Sequence, residues 1–399
     1  MKTSVKLLCI AVATAAAMLA VSCQKNQETA KDYTLTLNIT SPEGVTVTDV
    51  VAQAAKGTKV NNLEVTAGEN GSFSATATLT QGDYKISVSG AVSASAKAVG
   101  TAEVSLYADK TETIALSVVY ESPIIIKAVQ YTPGKQAYIM GGDTWIELVN
   151  NSDEVQYLDQ IILLGGMGRQ TKANAWQANG FENLYGGTSQ SPVFAFPGTG
   201  KDYPLQPGES VVLANNPKNH KEMGEGYENC ADLSKADWEF YCSYHASDVD
   251  YEGYPNLDLV YYWNKYQANW GQNFFAWAGA IIKLPEGVTP ADYAANPDNL
   301  MITPGTTSET QSLVFPSKYV LDAVDIWEAA AEEHYPTFLA VDDAEGILGP
   351  EAWSGQGVRR KVTKIENGRA YYKDTNKSSE DFIMGDVVPG YVPTTVDAE

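Results

Sequence analysis

Tyr33-Thr34-Leu35-Thr36-Leu37-Asn38-Ile39 alternates apolar and polar side chains without a break. A period of two sends successive side chains to opposite faces of an extended chain, so this stretch predicts a half-buried strand. Tyr84–Val88, Glu103–Tyr107 and Thr113–Val118 come close to the same pattern, with Thr and Val prominent. β-branched residues suit a pleated, half-buried surface. Glu69-Asn70-Gly71 and Gln81-Gly82-Asp83 supply turn residues between these segments. Together they predict an antiparallel sandwich over residues 33–120.

Towards the C-terminus the pattern changes at Glu121-Ser122-Pro123, where the proline marks a boundary. Ile124–Tyr131, Trp145–Ser152, Tyr157–Leu164 and Leu205–Leu213 then read as strands of a second domain, residues 121–399. Lys361–Ile365 and Arg369–Tyr372 flank Asn367-Gly368, a two-residue hairpin signal. A long insertion, bounded as residues 215–334, interrupts these strands. Part of it reads as helix. Thr289-Pro290-Ala291-Asp292 has an N-cap threonine, a proline at the first helical position and an acid two places on. Val320, Val324, Trp327 and Ala331 share the spacing of one helical face, which predicts a helix over 319–334. The expected fold is mainly β: two β-sandwich domains, the second with an aromatic-rich, partly helical insertion.

Towards the N-terminus, Lys2 and Lys6 precede an apolar run, Leu7–Ala20, that is short for a membrane span. It ends in Leu19-Ala20-Val21-Ser22-Cys23. Those residues resemble a bacterial lipobox. The resemblance implies a signal peptide over residues 1–22, removed on export, and lipidation at Cys23. Two or three acyl chains would hold the protein on a membrane. Residues 23–32 form a polar tether. The resemblance therefore implies a lipoprotein of the cell envelope, at the outer membrane and facing either the periplasm or the cell surface. Gln24-Lys25-Asn26-Gln27-Glu28 carries a single acid where acidic surface-export signals of Bacteroides-type lipoproteins lie.

The formal net charge is −22, and loss of Lys2 and Lys6 with the signal peptide takes it to −24. A chain this acidic lacks the basic footprint that phosphate binding requires, which argues against nucleic acid as a partner. Basic residues gather at Arg359-Arg360-Lys361, which reads as a solvated hairpin face. Of four cysteines, Cys9 leaves with the signal and Cys23 takes lipid. Cys230 and Cys242 remain. In an oxidising compartment they read as a disulfide closing a short loop, worth roughly 3 kcal/mol in the chain-entropy model. Two buried thiols or a metal pair are the alternatives.

The segment from Gly71-Ser72-Phe73 through Gly82-Asp83-Tyr84 resembles the prealbumin-like, carboxypeptidase regulatory-like domain, which implies a small spacer or docking sandwich without catalytic residues. Trp145-Ile146-Glu147-Leu148 with Asn150-Asn151-Ser152, then Leu158-Asp159, then Pro207-Gly208-Glu209 resemble the lamin-tail domain, an immunoglobulin-like sandwich. Arg360-Lys361 through Asp374–Phe382 and Pro389-Gly390 fit the close of that pattern. The order of lipobox, prealbumin-like module and lamin-tail-like module resembles a Bacteroides-type lipoprotein family, a domain of unknown function.

Chemistry is sparsely signalled. The histidines are His220, His245 and His334, and neither a Gly-x-Ser-x-Gly elbow nor a His-Glu-x-x-His motif occurs. Gly165-Gly166-Met167-Gly168 lacks the spacing of a dinucleotide loop and reads as a strand-end turn. Catalytic residues and cofactors are therefore not expected. Aromatic residues crowd residues 238–277. Half of these rings are expected in the core. Tyr251, Tyr254, Tyr266 and Trp270, set among Gly, Pro and Asn, are the expected surface rings for a ligand or partner. Asp248, Asp250, Glu252, Gly253, Asn256 and Asp258 follow part of an EF-hand loop, with Leu259 where the last acid should stand. Calcium there and an ordinary acidic loop are the two readings. The function expected is ligand binding at the envelope, as an accessory partner of an outer-membrane nutrient transporter. A carbohydrate-binding or adhesive module is the alternative, and a hydrolase the third reading.

Overall fold

The structure, a computed structural model, describes residues 31–398 apart from 43, 58, 94–95, 121, 136–141, 167–172, 182–183, 187–191, 263–268, 272–273, 306, 308, 310 and 340. Strands dominate the described residues, with only short helices between them. The chain forms two compact units. The first holds residues up to Thr40, Val51–Ser87 and Thr101–Ile114, and the second holds Ser41–Val50, Val88–Gly100 and Ala115–Glu399.

In the first unit, Asp32–Thr40 pairs antiparallel with Ser72–Thr80, with Leu35 opposite Ala77 and Ile39 opposite Phe73. Leu35, Leu37 and Ile39 are fully buried while Asn38 and Thr40 are exposed, as alternation predicts. Asn70 and Gly71 take positive φ in the turn before Ser72, a conformation that Asn and Gly tolerate best. Ala52 stands opposite Leu63 and Lys56 opposite Lys59 in a second antiparallel pair.

The second unit contains a β-sandwich. Its first sheet runs in the order Trp238–Glu239, Ser210–Ala214, Trp145–Asn150, Ile124–Gln130, Gly357–Arg360, Phe382–Gly385. The other runs Asp258–Tyr261, Val193–Ala195, Ile162–Leu164, Trp277–Ile282, Val320–Trp327, Ile347–Leu348. Ile126, Ile146, Leu148 and Leu213 from the first sheet meet Leu163, Phe194, Trp277, Ile281 and Val324 from the second in one buried cluster. Alternation places Trp145, Val212 and Ala214 on the opposite, outer face of the first sheet.

Residues 215–334 do not sit apart from this sandwich. Trp277–Ile282 and Val320–Trp327 pair with each other in the middle of the second sheet. Val320–Trp327 is therefore strand, not the helix that its apolar spacing predicts. Nearly every residue of it is buried, and a strand covered on both faces shows no clean period of two. Thr289 does cap a helix, Pro290–Ala295, by accepting the Asp292 N–H. That helix, with Leu184–Gly186, Leu300–Ile302 and Gln311–Pro316, builds a third layer. Tyr185, Tyr293, Leu313 and Phe315 pack there against Ile162, Leu164, Ala280 and Ile282. The hairpin of Val362–Glu366 with Arg369–Tyr372 turns at Asn367 and Gly368, both at positive φ.

Arg360 is buried, correcting the solvated face expected for the basic cluster. Its Nε donates to the Ile126 carbonyl at 2.9 Å and its guanidinium reaches Asp322 at 2.6 Å. Asp374 and Asp381 stand at 3.1 and 3.4 Å, and the Phe382 ring lies 4.6 Å beneath. A buried guanidinium is tolerated only when ringed by acceptors in this way. Here it ties one sheet to the other.

Candidate ligand-binding cleft

Ile124–Gln130 carries one extra residue between Ile126 and Ala128 relative to Trp145–Asn150. This bulge leaves Lys127 free of the ladder and sends it to the outer face, where its Nζ lies 2.6 Å from Glu147. Beyond the bulge, the Gln130 amide oxygen accepts from Trp145 Nε1 at 3.0 Å while its nitrogen donates to the Asp143 carbonyl at 3.2 Å. The Asp143 carboxylate accepts the Gly134 N–H at 2.9 Å. These side chains form a rigid polar floor, because every one is buried.

Three segments stand above that floor. Residues 218–236 fold over the sheet through Ala231, Leu233 and Ala236. The short helical turn His220–Met223, capped by Asn219, presents Lys221. His220 itself is buried with its Nε2 against the Asn216 carbonyl, and desolvation lowers it to about 4. The turn at Ser354-Gly355 forms the opposite wall. A Cβ on Gly355 would strike the Asn229 carbonyl, so only glycine permits this approach. Trp353 beside it has φ +67, a conformation that a bulky side chain rarely adopts. Its N–H donates to Thr132 Oγ1 at 2.8 Å, and its ring stacks on Phe274 at 4.2 Å. The third segment is Asp386–Pro389, with Asp386 held by Gln356 at 2.9 Å.

Together they enclose a cleft of about 490 Å³, lined by Gln130, Lys221, Glu228, Cys230, Asp232 and Lys235 with Ser354, Gly355 and Asp386–Pro389. That volume lies within the range of small-molecule sites. Ser234 and the neighbouring lysines hold Asp232 below the usual carboxylate range. The Gly226 N–H does the same for Glu228. Burial and the Asp143 carboxylate push the Cys230 thiol up to about 12, so it is protonated and a poor nucleophile. A smaller cavity of about 190 Å³ continues past Asp386 to Lys127, Glu147, Tyr372 and Tyr391.

The structure redraws most of the predicted sites. Cys230 and Cys242 are both buried thiols, not a disulfide. Cys230 faces the Asp143 carboxylate, and Cys242 packs in the sandwich core. Trp270 is not a surface ring. It is 3 % exposed, stacks on Phe240 at 4.5 Å and donates from Nε1 to the Leu163 carbonyl at 3.2 Å. Tyr251 and Tyr254 are half-buried, and the Tyr254 hydroxyl donates to the Ser234 carbonyl at 2.9 Å. Tyr266 and Cys23 lie outside the described residues. The expected patch loses Trp270 to the core, where the ring lies between Phe240 and Trp277.

The five calcium candidates do not converge as a set either. Both Asp248 oxygens accept backbone N–H groups, from Cys242 at 2.7 Å and Val249 at 3.1 Å. Asp250 accepts from Asn256 Nδ2 at 3.1 Å, while Glu252 and Asp258 are exposed. Among the described residues, no three His, Cys, Asp or Glu side chains are grouped to hold a metal ion. Of the cleft lining only Cys230 and Pro389 stand out in the sequence, because the rest come together from four distant segments. The only local signal for the rest was the Trp353-Ser354-Gly355 turn.

Comparison with known proteins bears on the fold. No match was found among curated proteins. A crystal structure of a DUF4876 family protein from Bacteroides thetaiotaomicron is similar at 23 % identity and a TM-score of 0.57, over 91 % of this chain and 96 % of that one. A DUF3823 family protein from Parabacteroides merdae aligns over 74 % of this chain and 98 % of that one, at 12 % identity and a TM-score of 0.17, too low to bear on the fold. Residues 206–389 of this chain, which supply all three segments above the cleft floor, match the family described as protein of unknown function (DUF4876).

Proposed function

We propose that this chain is an envelope-tethered binding lipoprotein whose ligand enters the cleft above Gln130. The polar cleft on a rigid sheet carries the reading. Its floor is fixed by buried hydrogen bonds, and its rim offers ammonium groups from Lys221 and Lys235 opposite the Asp386 carboxylate. Such a lining recognises a small polar ligand bearing both hydrogen-bond donors and acceptors. The protonated Cys230 thiol suits a wall of a binding cleft rather than a nucleophile. The lipobox ending at Cys23 supports the tether, and a partnership with an outer-membrane nutrient transporter is the role that address favours. The acidic balance of the chain speaks against nucleic acid.

Affinity purification of tagged protein from native membranes, with and without Cys23→Ala, tests this. Expected are membrane retention that depends on Cys23 and a co-purifying transporter. Lys235→Ala and Asp386→Ala should then leave the fold intact and weaken binding of the transporter's nutrient. A soluble Cys23 protein, or nutrient binding indifferent to both cleft variants, would overturn the reading.

A glycan ligand is the second reading, favoured by the Tyr244–Tyr262 pair. The two rings stack at 3.5 Å, and Tyr244 is 48 % exposed. Stacked rings at a surface offer a platform for a sugar face or a partner's aromatic side chain. Glycan-array binding lost on Tyr244→Ala would favour this reading over the cleft.

A further inference from the structure

We propose that Glu239, Asp250 and Asn256 form a calcium site closed by the loop 248–256. Glu239 ends a strand of the first sheet and is bridged to Asn256 in parallel. The bridge is made by Glu239 N–H to the Pro255 carbonyl and Leu257 N–H to the Glu239 carbonyl, each at 3.0 Å. The Glu239 side chain is fully buried and aimed into the loop, where Oε2 accepts the Tyr251 N–H at 3.0 Å. Its Oε1 is buried with no hydrogen-bond partner among the described residues. The same holds for Asn256 Oδ1, whose amide nitrogen is occupied by Asp250.

Two orphaned oxygens, one carboxylate and one amide, thus sit on bridged residues beside a second carboxylate, Asp250. Buried acceptors left unpaired are costly and call for a missing partner. A hard cation takes carboxylate and amide oxygens together and completes its shell with water. Burial first, and then the Asp250 and Asp248 charges, disfavour an ionised Glu239, a penalty that a bound cation would relieve. The Lys218 ammonium lies 5.7 Å from the Tyr251 ring. His245 acts on Asp248. A loop without helices on either side suits the adaptable coordination of calcium better than the strict octahedron of magnesium. The site keeps two residues of the sequence pattern, replaces its missing last acid with Glu239 from a neighbouring strand, and leaves Asp248, Glu252 and Asp258 outside.

Terbium luminescence on the processed full-length protein tests the proposal, because Tyr251 lies close enough to sensitise a bound lanthanide. Saturable emission displaced by calcium is expected, together with a melting temperature that rises with calcium through about the millimolar range of extracellular modules. Magnesium should displace terbium far less well. Glu239→Gln keeps the shape and removes the charge, and should abolish both responses. Asp250→Asn alters an exposed carboxylate and should weaken them at least tenfold, which gives the same reading if the Glu239 variant fails to fold. No calcium response in the unaltered protein, or a full response in both variants, would overturn the site. Neither result bears on the cleft, which shares none of these residues.

Discussion

Lys127 and Glu147 meet at 2.6 Å under the C-terminal segment, and both are almost fully buried. The pair does more than neutralise itself. Lys127 donates to the Tyr391 carbonyl at 2.7 Å, and Glu147 accepts from Ser210 at 2.6 Å and from the Gly390 N–H at 3.3 Å. A bulged strand and its neighbour thereby hold down residues 386–393, which form one side of the cleft.

Glu147→Gln should therefore destabilise the protein by about 3–5 kcal/mol, because it strands a buried ammonium. Replacing both partners with apolar residues, as in Lys127→Met with Glu147→Leu, should cost less than either single change. Urea denaturation of the three variants measures this. Proteolysis should cut near Tyr391 sooner in the single variants than in the parent.

The far end of the same segment depends on pH. Asp397 receives both guanidinium nitrogens of Arg359 at 2.7 and 2.8 Å, together with the Val362 N–H at 2.8 Å. These contacts, Arg359 foremost, hold the Asp397 carboxyl below the usual carboxylate range. A lowered folded-state pKa adds stability that is fully present above the unfolded value and is lost as pH falls through the folded value. Asp397→Asn should remove that acid-side dependence and cost about 1 kcal/mol or less near neutral pH, since the pair is partly solvated. Denaturation midpoints across acidic pH in parent and variant make the comparison.

Trp270→Ala should cost roughly 3–5 kcal/mol, as for other large core rings. The ring fills the space between Phe240 and Trp277, and its N–H is paired. Calorimetry decides the matter. A melting curve unchanged from the parent would put the ring back at the surface.

Cys230 and Cys242 should both resist alkylation in the folded protein and both react once it is unfolded without reductant. Burial raises both thiols, which lowers the thiolate fraction that reacts. Mass spectrometry of the non-reduced, unfolded protein reads the result directly. A linked peptide pair would show that the oxidised form exists.

Much of the fold was legible because strands announce themselves locally. The alternation at Tyr33–Ile39, the turn at Asn70-Gly71 and the hairpin at Asn367-Gly368 each depend on neighbouring residues alone, and each stands as read. Val320–Trp327 carries a helical spacing yet forms a strand, because a strand buried on both faces loses the polar beat that marks its period. Threonine at 289 and proline at 290 sufficed to start a helix, since a cap acts within one turn.

What the sequence by itself determined were the β-class, the turns, the capped helix and the acidic balance, all set by residue type and short-range spacing. Only the tertiary structure decided which aromatic ring is core and which is half-exposed, and that Cys230 faces Asp143 while Cys242 packs in the core. It alone buried Arg360 among acids and set Gln130, Lys221, Ser354 and Asp386 around one cleft. Burial is a property of how sheets stack, and a site drawn from four segments exists only once long-range pairing brings them together.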